Sequence, residues 1–158
     1  MSLATIMLEQ LGVARRIIED GQLVVPAWRI MTAEGTFLVL DTAKPGQREN
    51  ALTLISRFMA WKMATSFVLT AETWIGADGE DALFIIGVSR HEQLAVLQRI
   101  KRGDPVGFSE PMCLAKHHVE DRYLKMLPRG ETEISAEEAA ELARIFGKNG
   151  ELPAERLS

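Results

Sequence analysis

Cysteine is nearly absent from this 158-residue chain, and Cys113 stands alone. One cysteine excludes an internal disulfide and any zinc finger built on cysteine pairs. It also fits a reducing compartment. Long apolar runs are missing, since none approaches the ~20 residues needed to span a bilayer. The start, Met1-Ser2-Leu3-Ala4-Thr5-Ile6-Met7-Leu8, lacks a basic region and meets Glu9 early, unlike a secretory signal. These absences predict a cytoplasmic protein with no membrane segment. An excess of positive charge is missing too. The 18 basic side chains are outnumbered by 22 acidic ones, for a net charge of −4 and a pI of about 5.4. Nucleic-acid binders draw their affinity from clustered Lys and Arg, so nucleic acid is not an expected partner. Neither G-x-x-x-x-G-K-[ST] nor G-x-G-x-x-G occurs, which removes the common phosphate-binding loops. H-E-x-x-H and the G-x-S-x-G elbow are absent as well.

What is present is ordinary globular material. Hydrophobic residues make up 47% and charged residues 25%, which excludes collagen, coiled coil and intrinsic disorder. A chain of this length buries enough surface to fold as one domain without disulfide or metal.

Apolar periodicity predicts the elements. Met7, Leu11, Ala14 and Ile18 make one stripe of a helix over 4–20, stopped by Gly21. Runs at 23–31 and 36–41 form a hairpin across Glu34-Gly35, where glycine supplies positive φ. Pro26 cannot donate to a ladder, so the first strand lies on an edge or begins after it. A helix over 47–64 follows, with Leu52, Ile55, Met59 and Met63 as its stripe. Strands are expected at 66–75 and 82–89. Residues 93–101 alternate as a strand, although Leu94, Leu97 and Ile100 also recur at near-helical spacing. After a Gly/Pro-rich connector, helices are expected at 113–127 and 136–146, the second opened by a Ser135-x-x-Glu138 capping box. The order is α-β-β-α-β-β-β-α-α. It predicts an α+β fold in which a mainly antiparallel sheet of about five strands carries a long helix packed on one face. The domain would span 1–147, with 148–158 a loosely held polar tail.

Chemistry-bearing residues are sparse. In Cys113-x-x-x-His117-His118-x-Glu120, a helix would set Cys113 and His117 one turn apart, able to share a zinc ion. His118 would point about 100° away, and further ligands would come from Glu110 or His91. The plainer reading is a helix start with a buried cysteine and two surface histidines. His91 sits in Ser89-Arg90-His91-Glu92, where serine and histidine suggest a nucleophile and base, or simply a polar turn. Glu72 lies in an apolar strand two residues before Trp74. Among apolar neighbours it would suit a general acid or base; on a solvated face with Ser66 and Thr70 it would not. The carboxylates of Asp78, Glu80 and Asp81 lack calcium-loop spacing and read as a turn. Arg99, Lys101 and Arg102 form a compact basic group without interleaved aromatics, which reads as the polar edge of a strand.

The stretch from Ala64 to Val88, with its helix running into a strand that ends Ala71-Glu72-Thr73-Trp74, resembles small bacterial and prophage-associated α+β proteins of unknown function. The resemblance implies the fold and carries no activity, cofactor or site residue.

High apolar content without a catalytic constellation points to a non-enzymatic protein that works by association with a protein partner, as a homodimer. The expected surface is the sheet face left bare by the 47–64 helix, or the edge near Pro26. The rival expectation is a metal-binding or hydrolase-like protein using Cys113, His117, His118 and a nearby carboxylate, with zinc as its cofactor.

Overall fold

The computed structural model describes residues 2–42, 46–75, 79–114, 119–130, 133–147 and 154–157. The elements are α1 (Leu3–Glu19), β1 (Ala27–Thr32), β2 (Gly35–Leu40), α2 (Arg48–Trp61), β3 (Ser66–Ile75), β4 (Glu80–Ser89), β5 (Gln93–Lys101), β6 (Gly107–Phe108), β7 (Met112–Leu114), α3 (Asp121–Leu124), α4 (Ala136–Gly147) and β8 (Ala154–Leu157). The fold is α+β. Every recorded strand pairing is antiparallel, in the order β6-β5-β4-β3-β1-β2-β8, with β7 also on β5. The expected order therefore holds from α1 to β5, and 93–101 is a strand.

Local chemistry explains the boundaries. Ser2 caps α1, its Oγ accepting the Thr5 N–H at 3.2 Å. Thr32 faces Gly35 across the β1–β2 turn, and Gly35 takes φ 134°. Thr32 Oγ1 donates to the Gly35 carbonyl and accepts the Glu34 N–H, which fixes that turn. The first strand begins just after Pro26, where a full set of ladder donors becomes available. α2 ends earlier than its apolar stripe suggests. The Ala64 N–H reaches back to Met59 O and the Met63 N–H to Ala60 O, with Met63 in the left-handed region at φ 52°. That pattern closes a helix, and glycine usually occupies the Met63 position.

Four expectations need correction. First, among the described residues the sheet has eight strands rather than about five: the Gly/Pro connector supplies β6 and the next segment β7, both paired with β5, and Ala154–Leu157 adds β8. Second, 113–127 is not one helix. Residues 112–114 are strand, 115–118 lie outside the described residues, and among the described residues a helix stands at Asp121–Leu124. Third, Ala154–Leu157 pairs with β2, so this part of the polar tail is held by ladder bonds. The intervening residues 148–153 lie outside the described residues, as do 43–45 and 76–78 of the expected loops.

The fourth correction concerns layering. The long helix α2 packs on one face as expected, but the opposite face is not bare, because α1 covers part of it. Phe67, Leu69, Ile86 and Val88 point to a face covered by α2 (Ile55, Phe58, Met59), α4 (Leu142, Phe146) and the 119–127 segment. Val68, Leu83 and Ile85 alternate to the other face and meet Leu3, Ile6, Met7 and Leu11 of α1. A strand apolar on both sides needs two covers. The stripe on α1 shows only that the helix must be covered, and either face would serve.

On the first face, Arg57 of α2 forks onto Glu138 of α4, Nε donating at 2.5 Å and Nη2 at 2.6 Å. Only half of the expected capping box forms. The Glu138 N–H donates to Ser135 Oγ, while the Glu138 carboxylate turns to Arg57 instead of back to the cap. The hydrogen bond from Arg57 holds the Glu138 carboxyl below the usual glutamate range. A lowered folded-state value means stability that is present above the unfolded value of ~4.3 and lost as pH falls through the folded one. The melting temperature of the wild type is therefore expected to fall more steeply on acidification below about pH 5 than that of Glu138→Gln. Thermal melts at matched ionic strength check this, and parallel curves would refute the coupling.

Candidate functional site

Among the described residues, the catalytic candidates Glu72 and His91 do not converge. Glu72 and His91 lie at opposite ends of the sheet. Ser66 pairs with Ser89, two residues before His91, and Glu72 is six residues further along β3, roughly 20 Å away at strand rise. His91 is exposed in a turn built by Ser89, whose Oγ accepts the N–H groups of His91 at 3.4 Å and Glu92 at 3.1 Å. Ser89 and His91 thus have a structural relation, through the His91 backbone rather than its ring. Glu110 is exposed in a loop, where its carbonyl accepts from Ser109 Oγ.

Glu72 is not a lone carboxylate among apolar groups. Arg102 donates to it from Nη2 at 3.3 Å and to Asp81 from Nε at 2.9 Å, while Val24 N–H points to Glu72 Oε1 at 3.4 Å. Its observed work is to tie the segment before β1 to the sheet. Arg99 faces Glu80 at 3.7 Å and Lys101 is exposed, as expected of a polar strand edge.

Cys113 is exposed on β7 opposite Val96, so it neither opens a helix nor is buried. The one-turn spacing to His117 rested on a helix through 113, and that basis is gone. His117 and His118 themselves lie outside the described residues. Among the described residues no group of three His, Cys, Asp or Glu stands close enough to hold a metal ion. Among them, too, no helix is long and apolar enough to cross a membrane.

A different site emerges beside α1. A helix is about 10 Å across and strands are spaced about 4.8 Å apart, so one helix cannot roof seven neighbouring strands. α1 packs over β3 and β4. Toward β1 and β2 that face is bordered by both α1, whose Glu9 pairs with Arg29, and the extended segment 22–26. Between helix and segment lies a cleft of about 210 Å³. Ala27, Leu38, Leu40 and Thr70 form its floor, Val13, Ala14 and Ile17 its helical wall, and Leu23 to Val25 its outer wall. Gln10 and Gln22 are the other polar side chains lining it.

Two features distinguish this cleft. Thr70 is 3% exposed, and its Oγ1 is buried without a hydrogen-bond partner. A buried hydroxyl left unpaired costs about 1–3 kcal/mol, a cost that a polar atom in the cleft would remove. The rim, moreover, is apolar and exposed: Leu23 at 82%, Val25 at 42% and Val13 at 41%. Sequence reasoning left Leu23 to Val25 either in an edge strand or ahead of a strand that begins after Pro26, and the second alternative is the one observed. The available signal was Pro26, because a strand that starts after it leaves three apolar residues outside the ladder.

No family model matches the chain, and neither a curated protein nor a solved structure matches it.

Proposed function

We propose that the chain is a non-enzymatic binding protein that associates with a second copy of itself through the face formed by α1 and the 22–26 segment. The observation that carries this reading is Leu23, an 82%-exposed leucine standing beside an apolar cleft. The same patch offers a projecting apolar side chain and a recess for one. A twofold axis through it lets each copy fill the recess of the other, the self-complementary arrangement of isologous dimers. The unpaired Thr70 hydroxyl on the floor supports an occupant that brings a polar atom, such as a main-chain group of the entering segment. The bare sheet face first expected for the contact is unsuitable where α1 covers it. The edge near Pro26 is closed as well, because β1 is paired on both sides. A cytoplasmic setting is part of the proposal, and the lone cysteine supports it.

Size-exclusion chromatography with light scattering, from low to high micromolar concentration, tests this. The expected mass rises to that of two chains. Leu23→Asp is expected to raise the dimer dissociation constant by about a hundredfold, as for a central interface anchor lost from both copies. Because Leu23 is exposed, that change leaves the fold intact. Thr70→Val keeps the shape of the floor, removes the hydroxyl and is expected to weaken the dimer less. A chain that stays monomeric at high micromolar concentration, or a dimer indifferent to Leu23→Asp, would sink the proposal.

A further inference from the structure

At the opposite end of the sheet, a trough runs beneath the β4–β5 turn. One half, about 440 Å³, is lined by Ser89, Arg90, Gln93 and Arg129 among others. The other half, about 490 Å³, shares Arg90, Pro128 and Gly130 with it and continues past Ala60, Met63 and Ala64. Both halves mix polar and apolar groups: Val88, Leu124 and Leu127 also line the first, and Arg90 and Glu133 line the second, where methyl, thioether and proline surface makes up the larger part.

Charge pairing sets these arginines apart. Arg29, Arg57, Arg99, Arg102, Arg122 and Arg144 each face a carboxylate. Among the described residues, Arg90 and Arg129 have no ion pair and no hydrogen bond, although acidic side chains outnumber basic ones in the chain. Arg15, Arg16 and Arg48 are also unpaired, but they lie on the helices α1 and α2 and line neither half of the trough. The backbone at both positions is held. The Ser89 hydroxyl clamps the turn that carries Arg90, and Arg129 follows the buried Met126 and Leu127. Glu133 is the one carboxylate on the described walls, and no ion pair joins it to Arg90.

We propose that Arg90 and Arg129 form a binding site for a small organic anion, whose acidic group sits between the two guanidinium groups and whose apolar body lies against Met63, Ala64 and Pro128. A guanidinium presents a planar fork of donors that matches the paired oxygens of a carboxylate or a phosphate. The trough has the size of small-molecule sites, and the two arginines fix where the acidic end of the ligand goes. This site is independent of the α1 face and of dimer formation.

Calorimetric titration of the full chain with octanoate, phenyl phosphate and inorganic phosphate tests it. Octanoate or phenyl phosphate is expected to bind in a salt-sensitive manner, and whichever binds tighter identifies the acidic group as carboxylate or phosphate. Arg90→Gln and Arg129→Gln are each expected to weaken binding at least tenfold with unchanged melting temperatures. Arg16→Gln, on α1, is expected to change nothing. Three results would overturn the proposal: no heat from either organic probe, equal binding by the Arg90 and Arg129 variants, or inorganic phosphate binding as tightly as both organic probes.

Discussion

Phe58→Ala is expected to lower the unfolding free energy by about 3–5 kcal/mol, the usual cost of removing a fully buried ring. Phe58 is 2% exposed and stands where three elements meet. Its ring lies 5.4 Å from Phe37 of β2, edge-on, and 4.6 Å from Phe146 of α4. Trp61, one turn later on α2, closes the group at 5.9 Å. Truncation leaves a cavity whose walls are a helix, a strand and a second helix, and these cannot all move inward together. Urea denaturation gives the measurement: the midpoint should fall while the slope stays constant. A loss below about 1 kcal/mol would mean that the cluster collapses to fill the space.

Gly87→Val is expected to cost about 1–3 kcal/mol by overpacking, concentrated at the start of α1. A Cβ on Gly87 would come within 2.6 Å of Met7 Sδ and 2.9 Å of Leu3 Cγ. The Met7 thioether can swing aside, so Gly87→Ala should be milder. Valine adds two rigid methyl groups, which press on Leu3 as well and lift the first turn of the helix from β4. Hydrogen exchange should show faster opening of α1 amides than of β4 amides. Adding Met7→Ala should recover part of the loss, which makes the pair non-additive. Full additivity would argue that the strain lies elsewhere.

These two sites also show where sequence reading succeeds and fails. The helix over 48–61 is legible because Leu52, Ile55 and Met59 repeat at helical spacing and the core consumes that stripe. The strands β3 and β4 are legible from their β-branched and aromatic residues. The face that α1 covers is not legible, because the Gly87 contact joins residues eighty positions apart and leaves no mark on either local pattern. Cys113 misled for a related reason. Leu114, Val119, Tyr123 and Leu127 carry apolar character through both strand and helix, so apolar content does not mark where one gives way to the other. The strand pattern around Glu72 does not show its partner, because Arg102 belongs to a loop thirty residues on. The cleft beside α1 depends on a segment that forms no regular structure, and periodicity has nothing to report there.

The position of α1 on the second face also sets an order of events. Its apolar stripe at Leu3, Ile6, Met7 and Leu11 meets Val68, Leu83 and Ile85, which leave the ribosome far later. The β3–β4–β5 meander, by contrast, needs only neighbouring segments and can pair as soon as they appear. During synthesis the first helix therefore waits with a greasy side open to solvent, the kind of transient exposure that invites chaperone capture.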